Sequence, residues 1–344
     1  MSRDNPVTGE RSDPGISPLF GPSGRLRWNQ EDRRPDMIRT GVAGWDYPDW
    51  EGIVYPRPSP RGFDRLRFLA EHLDTIEINV TFYRQPDPAA AASWARRVAD
   101  RPAFRFTAKL FRDFTHVEPA QVGSDDPAFH REQEEMAAVY RSGIGPLLDA
   151  GVLGAVLIQF PQRFHDRPES RRHVERLAGL FEGLPLVAEM RHRSWGHDDA
   201  LQFLHGLGVG FCNIDQPALP STLRPTGHVT SPVGYIRLHG RNAAAWFATG
   251  KRAASGRYDY LYPEDELRPW VERARRMADR AEEVFIVANN HYRGKAPANA
   301  LMVRAMLEEK KVAAPAGLVR AWKVLAPFAT PPPTRRPAQG KLFE

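Results

Sequence analysis

Short runs of β-branched and apolar residues alternate along the chain with longer stretches whose apolar residues recur at helical spacing. The short runs are IRTGVA (38–43), TIEIN (75–79), FRFTAK (104–109), AVLIQF (155–160), LVAEMR (186–191), GFCNID (210–215), YIRLHG (235–240) and VFIVANN (284–290). Between them lie FDRLRFLAEHL, ASWARRVAD, SRRHVERLAGLFEGL, DALQFLHGLG and ELRPWVERARRMADRAEE, and ALMVRAMLEEK closes the series. Regular alternation of the two periods predicts strand–helix units feeding a parallel sheet. Eight strand signals, most followed by a helix, predict one α/β domain, a (β/α)8 TIM-type barrel over residues 37–326. A doubly wound sheet is the other arrangement of such units. It more usually carries a Gly-rich dinucleotide turn after an early strand, and none is present.

Side chains alternate faces along a strand, so the ends of these runs say what faces the barrel interior. With Ile76 and Ile78 toward the helices, Glu77 and Asn79 point inward. The same alternation turns in Thr107 and Lys109, Leu157 and Gln159, Val187, Glu189 and Arg191, and Asn213 and Asp215. The last two strands offer Tyr235, Arg237 and His239, then Val287, Asn289 and His291. Each run begins apolar or neutral and finishes polar, charged or aromatic. Barrel active sites sit at that C-terminal end, where the βα loops converge above a packed interior. A buried structural network is the other reading, because inward carboxylates must pair. Lys109, Arg191, Arg237, His239 and His291 are available to Glu77, Glu189 and Asp215. A purely structural core is more simply built from Val, Ile and Leu, which favours a functional pocket.

The loops after the strands add to the rim. GVAGWDYPDWEGIVYP clusters Trp45, Tyr47, Trp50 and Tyr55 after the first strand, and Thr81, Phe82 and Tyr83 follow the second. The long stretch after strand seven carries Lys251, Arg252 and Arg257, either as a lid over an anion or as a solvated insertion. After strand eight, Asn290 continues the polar series, and Gly294 and Lys295 precede a helix start where backbone N–H groups can hold an anion.

Composition narrows the classes. The chain has 344 residues, 42% of them hydrophobic, which excludes wholesale disorder. Its single cysteine, Cys212, excludes a disulfide framework and multi-thiolate metal sites. No apolar run approaches the roughly 20 residues that span a bilayer. The opening MSRDNPVTGERSDPG has no apolar segment of a signal peptide. A cytoplasmic protein without membrane association is therefore expected. The formal charge of +6 falls to +4 over residues 37–326, and 41 of the 48 basic residues are Arg. Net charge alone thus says little about partners. Residues 1–36 read as a disordered leader and 327–344 as a Pro-rich disordered tail.

The ordered series GVAGWDYPDW, TIEINVTFY, FTAKLFRDFTH, VLIQFPQRF, AEMRHRSW, YIRLHGR and ANNHYRGKAPANA resembles the YecE-like family, the domain of unknown function 72. The resemblance covers about residues 38–310 and implies a TIM-type barrel with its pocket at the C-terminal face; it implies no reaction. The residues at its motif cores include Trp45, Glu77, Asn79, Tyr83, Lys109, His116, Gln159, Glu189, Arg191, Arg237, His239, Asn289, Asn290 and His291.

Three chemistries compete for these residues. Glycoside hydrolysis needs two suitably spaced carboxylates, but the strand ends that carry them in the large barrel clan hold Gln159 and Arg237/His239 here. A metal-assisted hydrolase or isomerase would draw ligands from Glu77, Glu189, Asp215, His239 and His291, although no HxH or HExxH pair anchors an ion. The working expectation is acid–base or electrostatic catalysis, of the hydrolase or lyase type, on a phosphate- or carboxylate-bearing substrate, free or within a nucleic acid. Lys109, Arg191 and Arg237 would hold the anion. Glu189 or Glu77 would serve as base and His239 or His291 as acid. Trp45, Asn79, Tyr83, Gln159, Asp215, Asn289 and Asn290 would complete the substrate site. The sequence leaves the cofactor and the metal open. The other class is a non-catalytic binding or adaptor protein. Gln339, Leu342 and Phe343 form a QxxLF ending that resembles the short peptides docking bacterial repair proteins on the DNA sliding clamp.

Overall fold

The computed structural model describes residues 37–246 and 256–331. Eight strands close into a parallel barrel: β1 (Ile38–Ala43), β2 (Thr75–Ile78), β3 (Arg105–Lys109), β4 (Leu153–Gln159), β5 (Leu186–Glu189), β6 (Gly210–Asp215), β7 (Val233–Leu238) and β8 (Glu283–Ala288). β8 returns to β1, with Gly41 opposite Val287. Every strand lies within two residues of the boundaries its apolar pattern sets. That legibility has a simple cause: parallel strands covered on both faces need near-continuous apolar runs.

Beside two single-turn helices, Val80–Tyr83 and Ala243–Trp246, the helices described outside the barrel are α1 (Arg65–Ala70), α2 (Pro88–Arg97), α3 (Pro127–Asp149), α4 (Pro168–Leu180), α5 (Asp198–Gly206), α6 (Glu264–Ala278), α7 (Lys295–Glu308) and α8 (Ala316–Ala321). Six of them fall on the periodic stretches; α3 and α8 were not singled out by pattern. Asp64, Asp87 and Asp126 cap α1, α2 and α3 by accepting from backbone N–H groups. One helix of the ideal repeat is missing. Between β6 and β7 the described chain runs without a helix through residues 216–232, where Pro217, Pro220, Pro225 and Pro232 deny it amide donors and helical φ/ψ freedom.

The barrel interior is filled by Leu157, Val187, Cys212, Tyr235, Phe285 and Val287, all fully buried or nearly so. Two expectations are corrected. The strand starts are not uniformly apolar: Arg39, at the start of β1, donates to Glu283 at 2.7 Å and closes the N-terminal end of the barrel with an ion pair. Nor does the folded domain stop at residue 326. β10 (Ala329–Thr330) pairs in parallel with β9 (Val312–Ala313), and Val312 N donates to Phe328 O at 3.0 Å. Residues 327–330, assigned to the tail, are therefore part of the domain, because pairing with β9 satisfies their backbone and buries Ala329. The leader and residues 332–344, with Gln339, Leu342 and Phe343, lie outside the described residues, as do Lys251 and Arg252. No helix among the described residues is long and apolar enough to cross a membrane.

Candidate functional site

In a parallel sheet, paired residues share a face, so register decides what enters the barrel. Glu77 pairs with Thr107, Lys109 with Leu157 and Gln159 with Glu189. Each of these strands therefore delivers its polar end to one place, the C-terminal mouth. Arg237, fully buried, is the hub. Its guanidinium donates to Glu77 Oε1 at 2.6 Å, to Gln159 Oε1 at 3.2 Å and to Glu189 Oε2. Glu77 also accepts from the Tyr235 hydroxyl at 3.0 Å, and that hydroxyl lies 2.8 Å from Thr107 Oγ1. Glu189 Oε1 receives Arg191 Nε at 2.8 Å and lies 3.4 Å from His239 Nε2. Lys109 Nζ stands 3.8 Å from Glu77 Oε1 and 5.3 Å from the centre of the Phe82 ring.

The electrostatics of this centre reassign two roles. Burial alone would raise the Glu189 carboxyl, but the Arg237 and Arg191 charges override it and hold it well below the usual carboxylate range. A carboxylate so stabilised is a weak base. Burial pushes the His239 imidazole down to about 4 against the pull of Glu189, and burial takes His291 to about 4 as well. Both rings are neutral at pH 7. The expected division into a Glu189 base and an imidazolium acid therefore does not follow from this site. Asn289 Nδ2 lies 3.0 Å from His239 Nδ1. An amide NH2 only donates, so Nδ1 accepts and the neutral ring keeps its proton on Nε2. Among the described residues Nε2 faces only Glu189 Oε1, at 3.4 Å. Burial, then Arg237, brings Lys109 down to about 8. Burial, then Arg191, Arg112, Arg163 and Lys109, drives His116 to about 4, a measure of how much positive charge gathers at this rim.

A second group lies around the mouth. His291 stacks on Tyr47 at 4.4 Å and is tilted against Tyr258 at 4.9 Å; no ion pair or hydrogen bond joins it to the carboxylates. Gly44 makes this possible: its φ of +79° turns the chain directly after β1, and a Cβ there would sit 2.8 Å from the Tyr47 hydroxyl. Asn79 Nδ2 reaches that hydroxyl at 3.5 Å, and Asn79 Oδ1 and His291 Nδ1 are buried without hydrogen-bond partners among the described residues.

Other expected site residues are elsewhere. Trp45 packs edge-on against Trp94 at 5.7 Å, and Tyr83 is 70% exposed on the rim. Asp215 and Asn213 do not enter the barrel. β6 pairs Cys212 with Tyr235 and Asp215 with Leu238, so Cys212 and Ile214 face inward and the polar pair faces the helices. There Asp215 accepts from Trp270 Nε1 at 2.6 Å, Tyr262 OH at 2.8 Å and Arg241 Nε at 2.8 Å. Asn213 holds Thr226 Oγ1 and His228 N at 2.8 and 2.7 Å, fixing the helix-free connection. Polarity alone had suggested the opposite facing; hydrogen-bond partners in the outer layer made it affordable. Asn290 likewise turns outward, donating to Tyr260 O at 2.7 Å and Asn299 Oδ1 at 2.8 Å. Lys295 is paired with Asp259, so at the start of α7 its charge is already engaged. The five residues considered as metal ligands are thus divided among three places, and among the described residues no group of three or more His, Cys, Asp or Glu is arranged to hold a metal ion. Tyr235 and Tyr258 join the site without having been assigned to it; the inward position of Tyr235 was the available signal.

Barrel closure, register and a cation-rich polar centre at the C-terminal mouth together define a TIM-type (β/α)8 barrel protein. Residues 39–320 match the family model described as "Protein of unknown function DUF72", and the chain belongs to that family, as its motif series implied. It is 25% identical over 283 residues to UPF0759 protein YunF of Bacillus subtilis (strain 168), covering 79% of this chain and 95% of that one. Among solved structures, a DUF72 family protein of Thermotoga maritima superposes with a TM-score of 0.65 at 29% identity, over 79% of this chain and 99% of that one. One from Enterococcus faecalis gives 0.66 at 27% identity, over 79% and 96%.

Proposed function

We propose that the protein is an enzyme acting on a phosphate- or carboxylate-bearing substrate at the C-terminal mouth of the barrel. The observation behind this reading is a surplus of donors on its cations. Arg191 uses Nε on Glu189, while its two terminal nitrogens and Lys109 Nζ have no hydrogen-bond acceptor among the described residues. Three cations face two carboxylates, which leaves one positive charge for an anion to balance. The planar Arg191 fork suits two oxygens of a phosphate or carboxylate. In this reading Glu77 and Glu189 position the cations, Gln159 and Asn79 orient the substrate, and His239 donates from Nε2.

Millimolar inorganic phosphate or oxalate should raise the melting temperature of the full chain. Arg191→Met should lose most of that response while melting normally on its own, since its side chain is partly exposed and Glu189 retains Arg237. Absence of any anion-dependent shift in the parent protein would refute the reading. A phosphodiester in a nucleic acid offers the same chemistry. Salt-dependent oligonucleotide binding distinguishes it from a small anion.

A further inference from the structure

The geometry points to Lys109 as an amine nucleophile that forms an imine with an aldehyde or ketone bearing a phosphate or carboxylate. This rests on the anion-binding reading above and names the substrate class for it. A lysine that merely binds anions or completes an ion pair ordinarily gives its three donors to acceptors. Lys109 is buried, at 8% exposure, and gives none of them to the described residues. The carboxylate nearest to it is already engaged: Glu77 accepts from Arg237 through Oε1 and from Tyr235 through Oε2. Phe82 covers one side of the ammonium, and the buried Arg237 guanidinium repels it. Desolvation beside a second cation is the arrangement that frees a lysine lone pair for attack on a carbonyl. It is also what brings this group to about 8.

The neighbours supply the remaining requirements. The ring of His239 is held by Asn289, and its Nε2–H, which makes no short hydrogen bond among the described residues, is a neutral donor that a carbonyl oxygen can take from the longer Glu189 contact. It lies 3.4 Å from Glu189 Oε1, the same oxygen that receives Arg191 Nε at 2.8 Å. The oxygen donor and the anion fork thus share one carboxylate. Arg237 links that carboxylate to Glu77, beside which Lys109 stands. In the reaction the Nζ lone pair forms a bond to the carbonyl carbon and the C=O electrons move to oxygen. That oxygen takes up both protons lost from nitrogen and leaves as water, giving C=N. No oxidant or metal is required, and protonation of the imine makes the adjacent carbon acidic.

The test is reductive trapping on the full chain. The protein is incubated at neutral pH with borohydride and, separately, pyruvate, glyoxylate, dihydroxyacetone phosphate or glyceraldehyde 3-phosphate, then mapped by peptide mass spectrometry. The expected result is a reduced adduct on Lys109. Its yield should exceed that at an ordinary surface lysine by on the order of a hundredfold, following the larger neutral-amine fraction. Inorganic phosphate should suppress it, and uncharged acetone should label Lys109 poorly. Lys109→Arg, which keeps the charge but has no nucleophilic amine, should lose the adduct. If phosphate stabilises the parent protein but none of the four carbonyl compounds is trapped on Lys109, the imine is refuted and the anion site stands. If phosphate has no effect and no adduct forms, both fall.

Discussion

Glu189 shows how one residue's part depends on its company. As an isolated inward carboxylate it reads as a base; flanked by Arg237 and Arg191 it is a buried counter-ion. Removing one partner of a buried ion network leaves the other charges unbalanced, at about 3–5 kcal/mol. Glu189→Gln is therefore expected to lose that much stability by urea denaturation, as well as anion response. His239 gives a pH dependence. Its pKa is lowered from 6.5 to about 4 in the fold, so between those values the unfolded chain binds more protons and stability falls as pH falls. The loss begins near pH 6.5 and is complete near pH 4, about 3 kcal/mol for this group. His239→Gln should flatten the urea midpoint against pH over that interval; an unchanged slope would show that other groups control it. The types and inward positions of Glu77, Lys109, Glu189, Arg237 and His239 were legible in the alternation. Their protonation was not, because it depends on burial and on charges from other strands.

At the scale of elements, β6 marks the limit of pattern reading. GFCNID offers two polar residues on one face and Cys212 and Ile214 on the other, and polarity cannot say which face is inside. Register with β7 decides it, since Cys212 must share a face with Tyr235. Asp215 then serves the packing of α6 and the loop before it, through Trp270 and Tyr262. Asp215→Asn is expected to lower stability by about 3–5 kcal/mol and to leave the phosphate-induced melting shift of the remaining folded protein intact. Loss of that shift at full stability would instead return Asp215 to the substrate site. Six helices were legible from apolar residues at helical spacing alone, since α4, α6 and α7 have no side-chain cap. The absent helix after β6 was legible in its prolines only once the strands on either side were placed.

For the whole molecule, closure brings together ends of strands that are distant in sequence. Glu77 and Arg237 are 160 positions apart in sequence, yet the Arg237 guanidinium donates to Glu77 Oε1 at 2.6 Å. The same holds at the C-terminal boundary, where composition placed a tail and β9–β10 pairing placed an edge of the domain. Deleting 332–344 is expected to leave the melting temperature unchanged, whereas deleting 327–344 removes β10 and lowers it by a few degrees. Equal melting of the two would mean the pairing contributes nothing. The same deletions address the QxxLF ending: both should abolish pull-down by a purified sliding clamp, and a clamp that never binds the full chain ends that proposal.

The sequence by itself determined the class of fold, the strand positions, the family motifs and most of the inward polar residues. These follow from local periodicity, which each segment carries alone. Tertiary structure decided which polar strand ends meet, that β6 turns its polar face outward, and that the site is a cation-rich centre with neutral histidines. Those depend on strand register, burial and charges from separate strands, which exist only once the barrel is closed.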